Sequence, residues 1–138
     1  MDQVLIIYPV IALVALTFGI GIWFGVTRFK AAMNGDVNPA YYKLNRGAKL
    51  PEYYLKINNN YNNLFEVPVA FYVVSILIFI TNNVDLAFVV MSWVFVVSRY
   101  VHSYIHTTYN NVLHRRNIFL FGVAVLIIEW IYFTIKLV

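Results

Sequence analysis

The chain has 138 residues but no cysteine, and only 12% of it is charged. Without cysteine there is neither a disulfide framework nor a thiol nucleophile. A soluble domain of this size carries about a quarter charged residues. Here the few charges fall in blocks between apolar runs, which points to lipid rather than to a large soluble core. Solenoid-type repeats and low-complexity linkers are also missing, so the chain reads as one compact unit. The formal charge of +4 gives no sign of nucleic-acid binding, because the basic residues sit in loops where they set membrane orientation. The first apolar run lacks a basic leading region and a small-residue cleavage site, so it is read as a retained span and not as a signal peptide.

What is present is apolar surface: 62% of the residues are hydrophobic and the mean hydropathy is +0.72. Four runs of membrane length emerge, given that a helix needs about 20 residues to cross. Val4 to Val26 holds no charge. Leu64 to Ile80 carries Glu66 and Pro68 in its first turns, where a proline costs no intrahelical donor. The third run is uninterrupted only from Leu86 to Val97, so it must continue through Ser98, Arg99 and Tyr100 toward His106. The fourth, Ile118 to about Leu137, is broken only by Glu129 and Lys136. The expectation is an all-α integral membrane four-helix bundle with spans at about 4–26, 62–80, 85–106 and 117–137 and a basic loop at 27–61.

Loop charge orients it. Arg28, Lys30, Lys43, Arg46, Lys49 and Lys56 lie between spans one and two, and Arg115 and Arg116 between three and four. Asp2, Asp85 and Lys136 mark the other side. Positive loops stay in the cytoplasm, so both termini are expected outside it. Trp23, Trp93 and Trp130 are candidate interfacial anchors.

Four polar features stand out. Gly21 and Gly25 make a GxxxG step, which reads either as a close helix contact or as the ordinary glycine content of membrane helices. Asn59, Asn63 and Glu66 share one face if the helix is continuous, and a carboxylate just inside a span faces the bundle or a wet cavity. Arg99, His102, His106 and Tyr109 share a face of span three, with Arg99 level with Glu66 at about 1.5 Å rise per residue. A Glu66–Arg99 ion pair is therefore expected. His102 and His106 also match a two-histidine metal step, but no HExxH glutamate accompanies them and no metal site is expected. Glu129, deep in span four, is expected to face protein, with its partner unassigned.

Two stretches resemble a known family. Asn62 to Tyr72, opening on Asn62-Asn63-Leu64-Phe65-Glu66, resembles the second-helix motif of the MAPEG family, the membrane-associated proteins of eicosanoid and glutathione metabolism, and looks closest to bacterial members. Ser98 to Arg115 is similar to the third-helix and loop signature of the same branch. The resemblance implies a homotrimer of four-helix subunits in a bacterial inner membrane, with sites between neighbouring subunits near the cytoplasmic side. It implies glutathione as co-substrate, bound by Asn63 and Glu66, with Arg99 and His102 completing the pocket and Asn59, His106 and Tyr109 beside it. Arg115 or Arg116 would favour the thiolate, since a nearby cation stabilises it. Glutathione-using members usually carry arginine at the position of Asn59 and tyrosine at that of His106. The function implied is a glutathione-dependent transferase or peroxidase acting on lipophilic electrophiles. The alternative is a non-catalytic accessory subunit or a lipid or quinone binder on the same scaffold.

Overall fold

A computed structural model describes all residues 1–138 and contains five α-helices and no strand: α1 (Ile7–Met33), α2 (Glu52–Asn63), α3 (Val67–Ile80), α4 (Leu86–Thr107) and α5 (Val112–Leu137). Short 3₁₀ turns precede α1 (Gln3–Ile6) and cross the first loop (Pro39–Lys43). Four helical stretches, Gln3–Met33, Glu52–Ile80, Leu86–Thr107 and Val112–Leu137, are long and apolar enough to cross a membrane. The protein is a four-helix membrane bundle in which both termini share one end and the basic loops the other. Outward-facing side chains such as Phe18, Ile22, Ile76 and Ile135 are exposed on its flanks and contact lipid.

At about 1.5 Å per residue, the 27 residues of α1 measure some 40 Å, against a hydrocarbon layer of about 30 Å. The helix therefore runs past the expected span end at Val26 and lifts the basic end clear of the lipid core. The expected loop 27–61 is itself largely folded: α1 occupies its start and α2 its end. A small second core of Phe24, Ala31, Val37, Tyr54 and Ile57 holds the intervening chain against both helices. The main core, from Ile6 and Leu13 through Phe71, Phe88 and Phe95 to Phe133, fills the bundle itself.

Span two is two helices and not one. Pro68 has no N–H, and its ring would collide with the Leu64 carbonyl in a continuous helix, so the chain turns at Leu64–Glu66. Tight bonds carry the backbone through the turn: Phe65 N–H to the Asn62 carbonyl (3.0 Å) and Glu66 N–H to the Asn63 carbonyl (3.3 Å).

Polar pins lock the helices together. Buried Asn60 accepts from Ser103 Oγ (3.2 Å), joining α2 to α4. Tyr100 Oη donates to the Ala12 carbonyl (2.8 Å) and Trp130 Nε1 to the Ala70 carbonyl (3.3 Å). Gly21 lets Tyr61 approach, since a Cβ there would stand 3.0 Å from its ring, whereas Gly19 and Gly25 face open space. The first glycine of the GxxxG step thus serves a contact inside the bundle. α4 packs most extensively against α5, and Gly122 makes the seam close: a Cβ there would strike Ser98 Oγ and lie 2.8 Å from Arg99 Nη2.

At the terminal end Asp85, just outside α4, caps it by accepting from the Phe88 N–H (3.0 Å). The same carboxylate pairs with Lys136 and accepts from Tyr132 Oη (2.8 Å). Partial burial pushes its carboxyl up, but the Lys136 ammonium, the Phe88 amide and the Tyr132 hydroxyl outweigh that and hold it below the usual carboxylate value. One partner missing from the sequence reading is now visible: Glu129, fully buried, accepts from Ser92 Oγ at 2.6 Å.

Candidate functional site

The break after Asn63 decides where the candidate site forms. It turns Glu66 out of the α2 axis and into a cavity of about 600 Å³ at the basic end, lined by Asn59, Asn62, Asn63, Glu66, His102, His106, Val112, Arg115, Arg116 and Phe119. Three elements meet there: the end of α2 with its turn, the last two turns of α4, and the first two turns of α5.

Each wall is set by local chemistry. On the first, Asn63 Nδ2 donates to Glu66 Oε2 at 3.1 Å, which aims the carboxylate while leaving its other oxygen free. On the second, His102 and His106 are buried one turn apart on α4, their rings 5.7 Å apart and edge to face. On the third stands Arg115. The chain reverses through Asn110 in the left-handed region (φ 50°), a conformation that asparagine tolerates. Asn111 then caps α5 by accepting from the Leu113 and His114 N–H groups (3.0 and 3.1 Å). That tight turn brings Asn110 Oδ1 within 2.7 Å of Arg115 Nη1, and His106 Nε2 lies 3.3 Å from the same nitrogen. A guanidinium only donates, so His106 Nε2 is the acceptor side of that contact. Only Nη1 of Arg115 is used in this way, and the rest of its donor fork is free.

The cavity therefore carries one carboxylate, with asparagine amides beside it, on the α2 wall and two guanidinium groups on the α5 wall. No ion pair links them, because the only salt bridges in the protein are Lys56–Glu52 and Lys136–Asp85. Such a site complements a ligand that carries an ammonium and more than one anionic group.

Seven of the nine residues singled out in the sequence line this cavity: Asn59, Asn63, Glu66, His102, His106, Arg115 and Arg116. Two do not. Arg99 is 1% exposed and turned toward α5, with Nη2 donating to the Phe119 carbonyl (3.3 Å) and its guanidinium over the Phe95 and Phe119 rings. The expected Glu66–Arg99 ion pair is absent. The reckoning of level assumed an unbroken second helix, and the turn at Pro68 swings Glu66 away while Arg99 faces the α4–α5 seam. Tyr109 also falls outside, because α4 ends at Thr107, and its hydroxyl meets His114 Nδ1 (3.1 Å) on the surface. Asn62, Val112 and Phe119 were missed. Asn62 was off the helical face drawn through Asn59 and Asn63, Phe119 read only as a span residue, and Val112 fell in the loop between spans three and four. No group of three histidine, cysteine or carboxylate side chains gathers anywhere in the protein.

Fold and site together define a class: a four-helix integral membrane protein with a polar, mixed-charge cavity at the membrane surface on its basic side. A family model described as the MAPEG family matches residues 6–135, nearly the whole chain. The chain belongs to the MAPEG family, whose members serve eicosanoid and glutathione metabolism. No curated protein and no solved structure matches it.

Proposed function

We propose that the protein is a glutathione-dependent transferase or peroxidase that acts on lipophilic electrophiles entering from the bilayer. The observation that carries this reading is the opposition, within one cavity, of the Glu66 carboxylate to the Arg115 and Arg116 guanidinium groups. Glutathione bears one ammonium and two carboxylates. Glu66, aimed by Asn63, suits the ammonium, and an arginine fork suits a carboxylate in a bidentate pair. Asn59, Asn62 and His102 offer neutral hydrogen bonds to the peptide groups. Arg99, behind the wall of the cavity, supports it through Phe119 and makes no ligand contact in this reading.

Arg115 is the residue assigned to the thiol. Fixed by Asn110 and His106, its free donors stabilise the thiolate, which is the nucleophile. In the conjugation of an aryl chloride the thiol proton leaves to solvent, a carbon–sulfur bond forms, and the carbon–chlorine bond breaks with release of chloride.

Loop charge supports an orientation with both termini outside the cytoplasm and the cavity on its inner side. Family membership supports a homotrimer, and the likeness to bacterial members supports an inner-membrane location.

Calorimetry with glutathione on the purified protein is the test, followed by conjugation of a chlorodinitrobenzene-type electrophile. Saturable binding and turnover are expected. No binding at millimolar glutathione would overturn the reading and favour a non-catalytic accessory subunit or a lipid or quinone binder on the same scaffold.

A further inference from the structure

Arg115 and Arg116 are neighbours in sequence, but only one of them is held. Arg116 is exposed, and its single side-chain bond is a long one to the adjacent Asn117 (3.4 Å). Arg115 is half-buried, and the closest partner of its Nη1 is Asn110 Oδ1 at 2.7 Å, nearer than His106 Nε2 at 3.3 Å. Asn110 is not part of the cavity lining, so it acts on the site only through Arg115.

The loop is built to hold that amide in place. The Thr108 N–H bonds the Tyr104 carbonyl (3.1 Å) and the Asn110 N–H bonds the Ile105 carbonyl (2.8 Å), which closes the end of α4. Lys56, itself paired with Glu52, donates to the Thr108 carbonyl (3.2 Å) and ties the loop to α2. Asn110 then takes φ 50°, and Asn111 spends its own Oδ1 on the first amides of α5. Two adjacent asparagines thus divide the work: the second caps the helix, and the first reaches a guanidinium five residues on.

Residue type matters here as much as position. Glycine, asparagine and aspartate all accept a left-handed backbone. Glycine offers no acceptor. Aspartate would form an ion pair and offset the positive charge. Asparagine alone takes the hydrogen bond and leaves that charge intact. An anion that develops during reaction is best stabilised by a charge already fixed in direction, because nothing has to reorganise.

We propose that Asn110 is a positioning residue for Arg115, holding its guanidinium toward the cavity at full charge without touching the ligand. The proposal rests on the reading of this cavity as a glutathione site and adds what selects Arg115 over Arg116.

Two measurements on the full-length protein in detergent micelles test it. The first needs no ligand: NMR of isotope-labelled arginine side chains, with the Arg115 signal assigned by its loss in Arg115→Ala. Hindered guanidinium rotation is expected in the wild type and in Asn110→Asp, and free rotation in Asn110→Gly. The second is a pH titration of the thiolate absorbance of bound glutathione. Its midpoint should rise by about one pH unit in Asn110→Gly, with conjugation about tenfold slower and the KM for glutathione unchanged. Asn110→Asp should raise the midpoint as well, although its guanidinium stays ordered, because the carboxylate offsets the charge. Tyr109→Phe, which alters the same loop on its outer side, should change neither readout. All three replacements suit the local backbone, so the turn is kept. Equally hindered rotation in Asn110→Gly and wild type, or a midpoint unmoved in both Asn110 variants, would overturn the proposal. Failure of the wild type to bind glutathione would count against the glutathione reading, and the ligand-free measurement would still decide whether Asn110 holds Arg115.

Discussion

The two ends of the bundle use the same chemistry to opposite effect. At the terminal end the Asp85 carboxylate meets Lys136, Tyr132 and the Phe88 amide of α4, so this acid has its partners inside the protein. At the basic end Glu66 has only Asn63, and Arg115 spends one nitrogen on Asn110 and His106 while the rest of its fork is open. Partnered charge ties helices together, whereas charge aimed by neutral neighbours and left unpaired is a binding surface. The difference traces to backbone. Asp85 sits at a helix N-terminus beside the end of α5, where pairing is immediate, while the break at Pro68 and the turn at Asn110 hold Glu66 and Arg115 on separate walls.

The strongest way to break this comparison is to remove the open charge. Arg115→Ala should lower conjugation by about 10²–10³-fold, the scale for losing one positioned donor to a developing anion. It should also abolish the thiolate absorbance of bound glutathione near neutral pH, while Arg116→Ala keeps it. Stability in detergent should barely move for either variant. A marked fall in melting temperature for Arg115→Ala would put that residue among the ties and not in the site.

Gly122→Ala probes the seam between the two ends. Its Cβ would press on Ser98 and the Arg99 guanidinium, both buried and with little room to move. Overpacking of this kind costs about 1–3 kcal/mol. Thermal unfolding followed by size-exclusion chromatography should show the loss, and Gly25→Ala, which meets open space, should not.

These distinctions were only partly legible in the sequence. Hydropathy placed all four spans, because lipid imposes length and composition on each one. The asparagine run, Glu66, the two histidines and the paired arginines were visible as polar residues where lipid should be, and the fold brings them to one cavity. Direction was not visible. The i, i+4, i+7 face drawn through Asn59, Asn63 and Glu66 assumed an unbroken helix, yet Pro68 had already been noted and its clash with the Leu64 carbonyl was the signal to break it. Arg99 was assigned by depth alone, and depth does not say which neighbour a side chain faces. Its direction follows from Gly122, a small residue on α5 whose role shows only once the helices are paired. Asn60 and Asn59 are adjacent in sequence, yet one is a buried tie to Ser103 and the other lines the cavity.

Glu66→Gln sharpens the comparison at smaller scale. The amide keeps the shape and the bond to Asn63 but removes the charge that suits an ammonium. Glutathione affinity should fall about tenfold, as for one charge-assisted bond. Because Glu66 is exposed and forms no ion pair, stability should stay within about 0.5 kcal/mol. Calorimetry and a thermal melt on the same sample separate the two effects. An Asn63→Ala variant should lower affinity less, since the carboxylate survives but loses its aim.

The mildest effect is expected from Asp85→Asn at the terminal end. Asparagine still caps α4, so the cap itself, about 1 kcal/mol in similar helices, is largely retained and only the charge toward Lys136 is lost. That pair is partly exposed and screened by salt, so the cost at neutral pH should be small. The pH dependence is the sharper readout. Asp85 has a folded pKa below that of an unfolded carboxylate, so its stabilisation is complete above the ordinary value near 4 and is lost as pH falls through the folded one. The wild-type melting temperature should therefore drop on acidification across this window more than that of Asp85→Asn. Equal slopes would mean that Asp85 is no more partnered than Glu66, and the contrast between the two ends would fail at its clearest point.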